Sequence, residues 1–148
     1  MLYTVGEMAK LLGVAPSTLR YYDQEGLLPF VERSSNGIRV FRDADYEWLQ
    51  VIECLKKTGM PLKDIREFIQ MAMQGDETIE QRLNLIIRQQ EAVRKRMEAL
   101  QQTLETLDFK RWYYETARDA GTTAVPRNMT LEELPQQYRE VRRRLRRE

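Results

Sequence analysis

The residues of this chain best equipped for chemistry are cations and hydroxyls gathered near one end. Arg20, Arg33, Arg39 and Arg42 fall close together, and Ser17, Thr18, Tyr21 and Tyr22 stand beside the first of them. Guanidinium and hydroxyl donors of this kind grip phosphate oxygens, and a guanidinium can also fork onto a base edge. A second chemistry belongs to Cys54, the only cysteine present. A lone thiol closes no intramolecular disulfide, but its thiolate is a nucleophile towards electrophiles and oxidants. Other chemistries lack parts. The sequence has no histidine, which removes Ser-His and Cys-His pairs and imidazole metal ligands. It holds no Gly-rich phosphate loop of the Walker or dinucleotide type either. Neither catalytic residues, a metal site nor a cofactor is expected.

Total charge says little about a partner. The net charge is +1, and residues 1–75 carry nine Lys and Arg against ten Asp and Glu. Phosphate binding depends on local contacts, so the argument rests on where the cations sit. Near-neutrality also leaves open a coiled-coil adaptor that contacts only other proteins. With 42% hydrophobic and 32% charged residues, the chain is soluble and short of core-forming material, as when many residues lie in one solvated helix. No apolar run approaches the ~20 residues that span a bilayer. The first residues lack a signal-peptide layout, so the expected location is the cytoplasm, with no membrane partner.

The elements that must position these groups announce themselves through caps and breakers. Thr4 with Glu7 is a capping-box pair. It opens a short helix through Leu12, with Gly13 where a left-handed residue is wanted. Pro16 suits the first turn of a second helix, which runs to Asp23 and stops by Gly26. Two short helices about a glycine turn are a helix-turn-helix. Asn36-Gly37, flanked by Val31 and by Ile38, Val40 and Phe41, predicts a hairpin wing closed by a type I′ turn. Arg33, Arg39 and Arg42 lie in or beside it. Asp43 is expected to cap a third helix over 44–58, and Pro61 to open a fourth.

From 77 to 117 no Pro or Gly occurs. Ile79, Leu83, Ile86, Gln90, Val93, Met97, Leu100, Leu104 and Leu107 recur there at steps of four and three, a heptad seam. So long a stripe needs a partner helix, and a second copy of the chain is the simplest source. Beyond it come Trp112-Tyr113-Tyr114, a linker over 121–126, and a terminal helix opened by a Thr130/Glu133 box. That helix ends in the run from Arg142 to Arg147, read as a solvated, frayed tail. The expected fold class is mainly α, a winged helix-turn-helix followed by a long antiparallel coiled-coil dimerisation helix. Its domains are 1–75, 76–118 and a 119–148 linker and helical tail.

The run Val5-Gly6-Glu7-Met8-Ala9-Lys10, with Gly13-Val14, Thr18-Leu19-Arg20-Tyr21-Tyr22, Gly26-Leu27-Leu28-Pro29 and Asn36 to Phe41, closely resembles the MerR family of bacterial regulators. The resemblance covers residues 2 to about 74, in order and spacing. It departs at Ile38 and Phe41, where tyrosine is usual. It implies an antiparallel coiled-coil homodimer on a pseudo-palindromic promoter duplex, with RNA polymerase as a further partner. An effector then makes the dimer bend and untwist the DNA. Carried over by position, Ser17, Thr18, Arg20 and Tyr21 would face DNA, while Tyr22 would combine packing with a phosphate contact. Arg33, Arg39 and Arg42 would hold the backbone from the wing, and neither Arg20 nor Arg39 has an obvious structural task.

Two sensing chemistries are open. Cys54 and the following Gly59-Met60-Pro61-Leu62-Lys63 resemble the lone-cysteine subgroup that answers aldehydes and other electrophiles in stress responses. At 100° per residue Cys54 lies about 160° from Ile52, and Lys57 and Thr58 are helical neighbours that would favour a thiolate. Against this, Cys54 can be a small hydrophobe packed on a partner helix. The alternative sensor is a small-molecule pocket of Trp112, Tyr113, Tyr114 and the terminal helix, although such clusters more often cap a coiled coil.

Overall fold

The computed structural model describes residues 1–147. In chain order its elements are β1 (Leu2–Tyr3), α1 (Val5–Leu12), α2 (Pro16–Gln24), β2 (Glu32–Arg33), β3 (Arg39–Arg42), α3 (Asp43–Lys57), α4 (Leu62–Gln74), α5 (Ile79–Ala120), α6 (Ala124–Asn128) and α7 (Gln136–Arg146). A one-turn 3-10 helix at Asp76–Thr78 joins α4 to α5. Two compact units emerge, Met1–Ala92 and Val93–Glu148, with the boundary inside the 42-residue α5.

Local chemistry explains the N-terminal unit. The Glu7 backbone N–H donates to the Thr4 hydroxyl, and the Thr4 N–H donates back to the Glu7 carboxylate at 2.8 Å, so both partners of the box are engaged. β3 lies centrally in a three-stranded antiparallel sheet, with Tyr3 opposite Phe41 on one side and Arg33 opposite Arg39 on the other. Under the sheet and helices lies one core. Met8, Leu19, Tyr22, Leu27, Phe41, Leu49, Ile52 and Ile65 are all buried in it. Leu85 of α5 joins the same cluster, which is why the unit continues past α4.

The wing turn is not type I′. Among the described residues Gly37 has a positive φ of 75° but Asn36 does not. The Gly37 N–H donates to the Ser34 carbonyl and the Ser34 N–H to the Ile38 carbonyl. That is a type I turn followed by a left-handed glycine, the three-residue form of hairpin loop. It needs one glycine where I′ needs two positive φ values, and Ser34 supports it by accepting the Ile38 N–H at 3.2 Å.

Asp43 does not cap α3. Its carboxylate takes the N-terminal ammonium and the Tyr3 hydroxyl, each at 2.7 Å. The capping carboxylate is Asp45, which accepts the Arg42 N–H at 2.8 Å. Asp43 is already the first helical residue, and a carboxylate three residues past the cap is the one that reaches back.

The junction between α4 and α5 is built on Thr78. Its hydroxyl donates towards the Met71 carbonyl at 2.5 Å, and Arg82 donates to the Gly75 carbonyl at 2.9 Å. Carbonyls left open at the end of α4 are thereby satisfied. Along α5 the seam residues Ile79, Leu83, Ile86, Met97, Leu100, Leu104 and Leu107 are exposed.

Three expectations for the C-terminal unit need correction. The 121–126 linker is partly helical, since α6 covers Ala124–Asn128 with Pro126 buried. Thr130 and Glu133 do form their reciprocal box, with the Thr130 N–H on the Glu133 carboxylate at 2.7 Å. That box closes only one turn, because Pro135 disfavours helix in the residue before it and α7 starts afresh at Gln136. The arginine run is no frayed tail. Val141 packs with Phe109 and Leu134, Arg142 is buried, and Arg144 donates to the Thr106 hydroxyl at 3.2 Å.

Candidate nucleic-acid interface

Helix α2 divides its side chains by the 100° rotation per residue. Leu19 and Tyr22, three apart, are fully buried, and Ser17, Arg20 and Tyr21 are exposed with Thr18 half-buried. Arg20 makes no hydrogen bond or ion pair among the described residues. Its guanidinium is held only by the backbone that carries it. Tyr21 keeps a tilted ring contact with Tyr22 at 6.4 Å between centroids.

Tyr22 stands inside the core. Its hydroxyl donates to Glu53 at 2.5 Å and accepts from Lys56 at 3.0 Å. Burial, and then the Glu53 bond, push the phenol well above its usual pKa, so it stays protonated. A ring in this position fixes α2 on α3, and the phosphate contact expected of it has no exposed hydroxyl to make it.

The wing is tied to the same helix by Asp23. Its Oδ2 accepts from Arg39 Nε at 2.6 Å and from Arg33 Nη2 at 2.9 Å. Arg33 also donates through Nη1 to the Gly37 carbonyl, which closes the wing turn. Arg39 therefore has a structural task after all, since the Asp23 carboxylate ties it and Arg33, one from each strand of the wing, to α2. The cluster of two guanidiniums and one carboxylate keeps one net positive charge. Arg42 differs, forming an exposed pair with Glu32 at 2.5 Å, an arrangement that contributes little by itself.

Asp23 was not foreseen as a site residue. The signal for it was faint, a single acid at the end of α2 facing an arginine-rich hairpin. Arg66 was also missed. It donates to the Glu25 carbonyl at 2.5 Å and lies 3.5 Å from where a Cβ on Gly26 would sit, so α4 secures the end of α2.

Cys54 is exposed on α3. The Thr58 hydroxyl, one turn on, donates to the Leu55 carbonyl at 2.6 Å and accepts from Gln89 at 3.0 Å. No group of three or more His, Cys, Asp or Glu among the described residues is arranged to hold a metal. No helix of the described residues is long and apolar enough to cross a membrane.

A helix-turn-helix with a hairpin wing clamped to its second helix is the architecture of a DNA-binding regulator. Residues 3–72 match the family model of the MerR HTH family regulatory protein, and residues 46–108 match that of MerR, DNA binding. An HTH-type transcriptional regulator of Haemophilus influenzae is 40% identical over 136 residues, which span 92% of this chain and 98% of that one. The regulator AdhR of Bacillus subtilis is 34% identical over 82 residues, 55% of this chain and 59% of that one. Among solved structures, HiNmlR, a MerR family regulator lacking the sensor domain and bound to promoter DNA, superposes with a TM-score of 0.72 at 42% identity. That match covers 84% of this chain and 99% of HiNmlR. The chain belongs to the MerR family and is a DNA-binding transcription regulator.

Proposed function

We propose that the protein binds a pseudo-palindromic promoter as a homodimer in the cytoplasm, through Ser17, Thr18, Arg20 and Tyr21 of α2 and Arg33, Arg39 and Arg42 of the wing. The observation that carries this reading is the joint presentation of α2 and the wing, tied together at Asp23. Similarity to a promoter-bound relative supports it. Residues near the start of a recognition helix reach base edges, while the wing arginines serve the backbone. The exposed seam on α5 supplies the dimer contact. Once bound, the dimer distorts the spacer for RNA polymerase, exchanging DNA deformation for extra backbone contacts.

Arg20 provides the test, since it has no partner among the described residues to confuse the result. Fluorescence anisotropy on a promoter duplex across salt concentrations should give Arg20→Ala a slope of log K against log salt about one unit shallower than wild type. Arg39→Ala should weaken binding for every duplex, because it also frees the wing. An unchanged slope for Arg20→Ala removes that residue from the interface.

Thiol modification of Cys54 is the effector step in this reading, supported by its exposure. The sulfur adds to the carbon of a C=C or C=O bond, the C–S bond forming as the π bond breaks, and the atom at its other end takes up from solvent a proton that balances the one the thiol gave up. Treatment with N-ethylmaleimide should change promoter affinity in the wild type and leave Cys54→Ser unaffected. Equal responses of the two proteins would return Cys54 to a packing role.

A further inference from the structure

The C-terminal unit contains a charged group with unfinished bonding. Arg142 is 7% exposed, its Nη1 donates to the Met129 carbonyl, and its Nε has no hydrogen-bond partner. No carboxylate among the described residues pairs with it. Its neighbours on α7 are treated differently, since Arg139 donates to the Leu134 and Glu132 carbonyls and Arg144 to Thr106. A buried cation without a counter-charge is an expensive arrangement that calls for an anion. The carbonyl bond at Nη1 and the sealed position of Nε leave Nη2 as the guanidinium nitrogen open to an anion, which it meets as a charge-assisted donor.

Arg142 lines a cavity of about 240 Å³ together with Lys110, Arg146, Phe109, Tyr113 and Tyr114. No acidic residue lines it. The walls are flat and aromatic, with Phe109 and Tyr113 edge-to-face at 6.3 Å and Tyr113 and Tyr114 at 5.2 Å. Cations on one part of the lining, and three rings with Leu145 on the rest, select a molecule with the same division. We propose that this cavity binds a small aromatic monocarboxylate, its carboxylate on Arg142 and Lys110 and its ring against the tyrosines and Phe109. The volume fits a single ring and is below the usual range for drug-sized ligands. The lining shares no residue with the DNA-facing set or with Cys54, which makes it a second input to the regulator.

Isothermal titration of the full-length protein with benzoate tests this, with benzyl alcohol as the neutral isostere and inorganic phosphate as the ringless anion. Benzoate should give saturable binding at one site per chain, with benzyl alcohol and phosphate each weaker by roughly tenfold or more, the ratio that one charge-assisted contact supplies. Arg142→Met should lose a similar factor, and the exposed Lys110→Met about threefold. Absence of saturable heat up to about 10 mM benzoate would overturn the proposal, leaving the Nε to an ordered water. Equal affinity for benzyl alcohol or for phosphate would overturn it as well. Should Arg142→Met fail to fold, Lys110→Met and the two control ligands still decide.

Discussion

Tyr22 and Asp23 are adjacent, yet one points into the core and the other out to the wing. Their helical positions were legible, because Leu19 and Tyr22 share a face at a spacing of three. Their partners were not. Glu53 and Lys56 lie 31 and 34 positions away, and Arg39 lies 16 away. Such pairings exist only after the helices and hairpin have docked. The distinction can be measured. Tyr22→Phe removes the hydroxyl that joins Glu53 and Lys56 and should destabilise the protein by about 1–2 kcal/mol in urea unfolding. Its promoter binding should keep the wild-type salt slope. A shallower slope at unchanged stability would instead make the phenol a phosphate contact. For Arg39 the sequence suggested a free cation, and only the folded hairpin shows that Asp23 holds it.

Capping makes an element-scale expectation for α1. The Thr4 N–H, and then the Thr4 hydroxyl, hold the Glu7 carboxyl below the usual carboxylate range. A depressed folded value means stabilisation that is present above the unfolded pKa of about 4.3 and lost as pH falls through the folded value. Glu7→Gln should therefore be less stable than wild type at neutral pH and should lose less stability on acidification below about pH 4. Helical circular dichroism against pH checks this, and coincident acid limbs would show that the cap contributes nothing. Elements governed by local signals were read well, namely α1 with its box, α2 with Pro16 and α5 with its unbroken run. Errors fell where two local signals competed. Asp43 and Asp45 both suit a cap, and a distant partner, the N-terminal ammonium, took the first. Asn36-Gly37 is compatible with two hairpin loops, and Ser34 favours the longer. Thr130 and Glu133 do box, but Pro135 overrides them one turn later.

Across the whole molecule, charge and apolar surface now have a consistent account. The near-neutral total for residues 1–75 hides how its charges are used. Glu7, Asp23, Asp43, Asp45 and Glu53 all accept hydrogen bonds from the protein itself, while Arg20 makes none. Sums over sequence count both alike, which is why total charge was a poor guide to a DNA-binding surface. The apolar stripe was legible from its spacing, because heptad periodicity is a property of sequence alone, and seven of its nine positions are exposed apolar side chains on α5. Less visible was the second face of α5, where Leu85 joins the N-terminal core and Gln89 donates to the Thr58 carbonyl. Leu100 is 70% exposed in the single chain. Leu100→Glu should shift the species seen by light scattering from twice 17.7 kDa to 17.7 kDa, with helical content largely kept. A dimer that survives that change would have its contact elsewhere.

The arginine run of α7 carries a practical consequence. Read as letters, residues 142–147 are the most inviting trypsin target in the chain. A protease, however, needs extended backbone, and here residues 142–146 are helical and anchored at Val141 and Arg142. Cutting must wait for α7 to open, so digestion at this end reports how often the helix lets go, not how many arginines it contains.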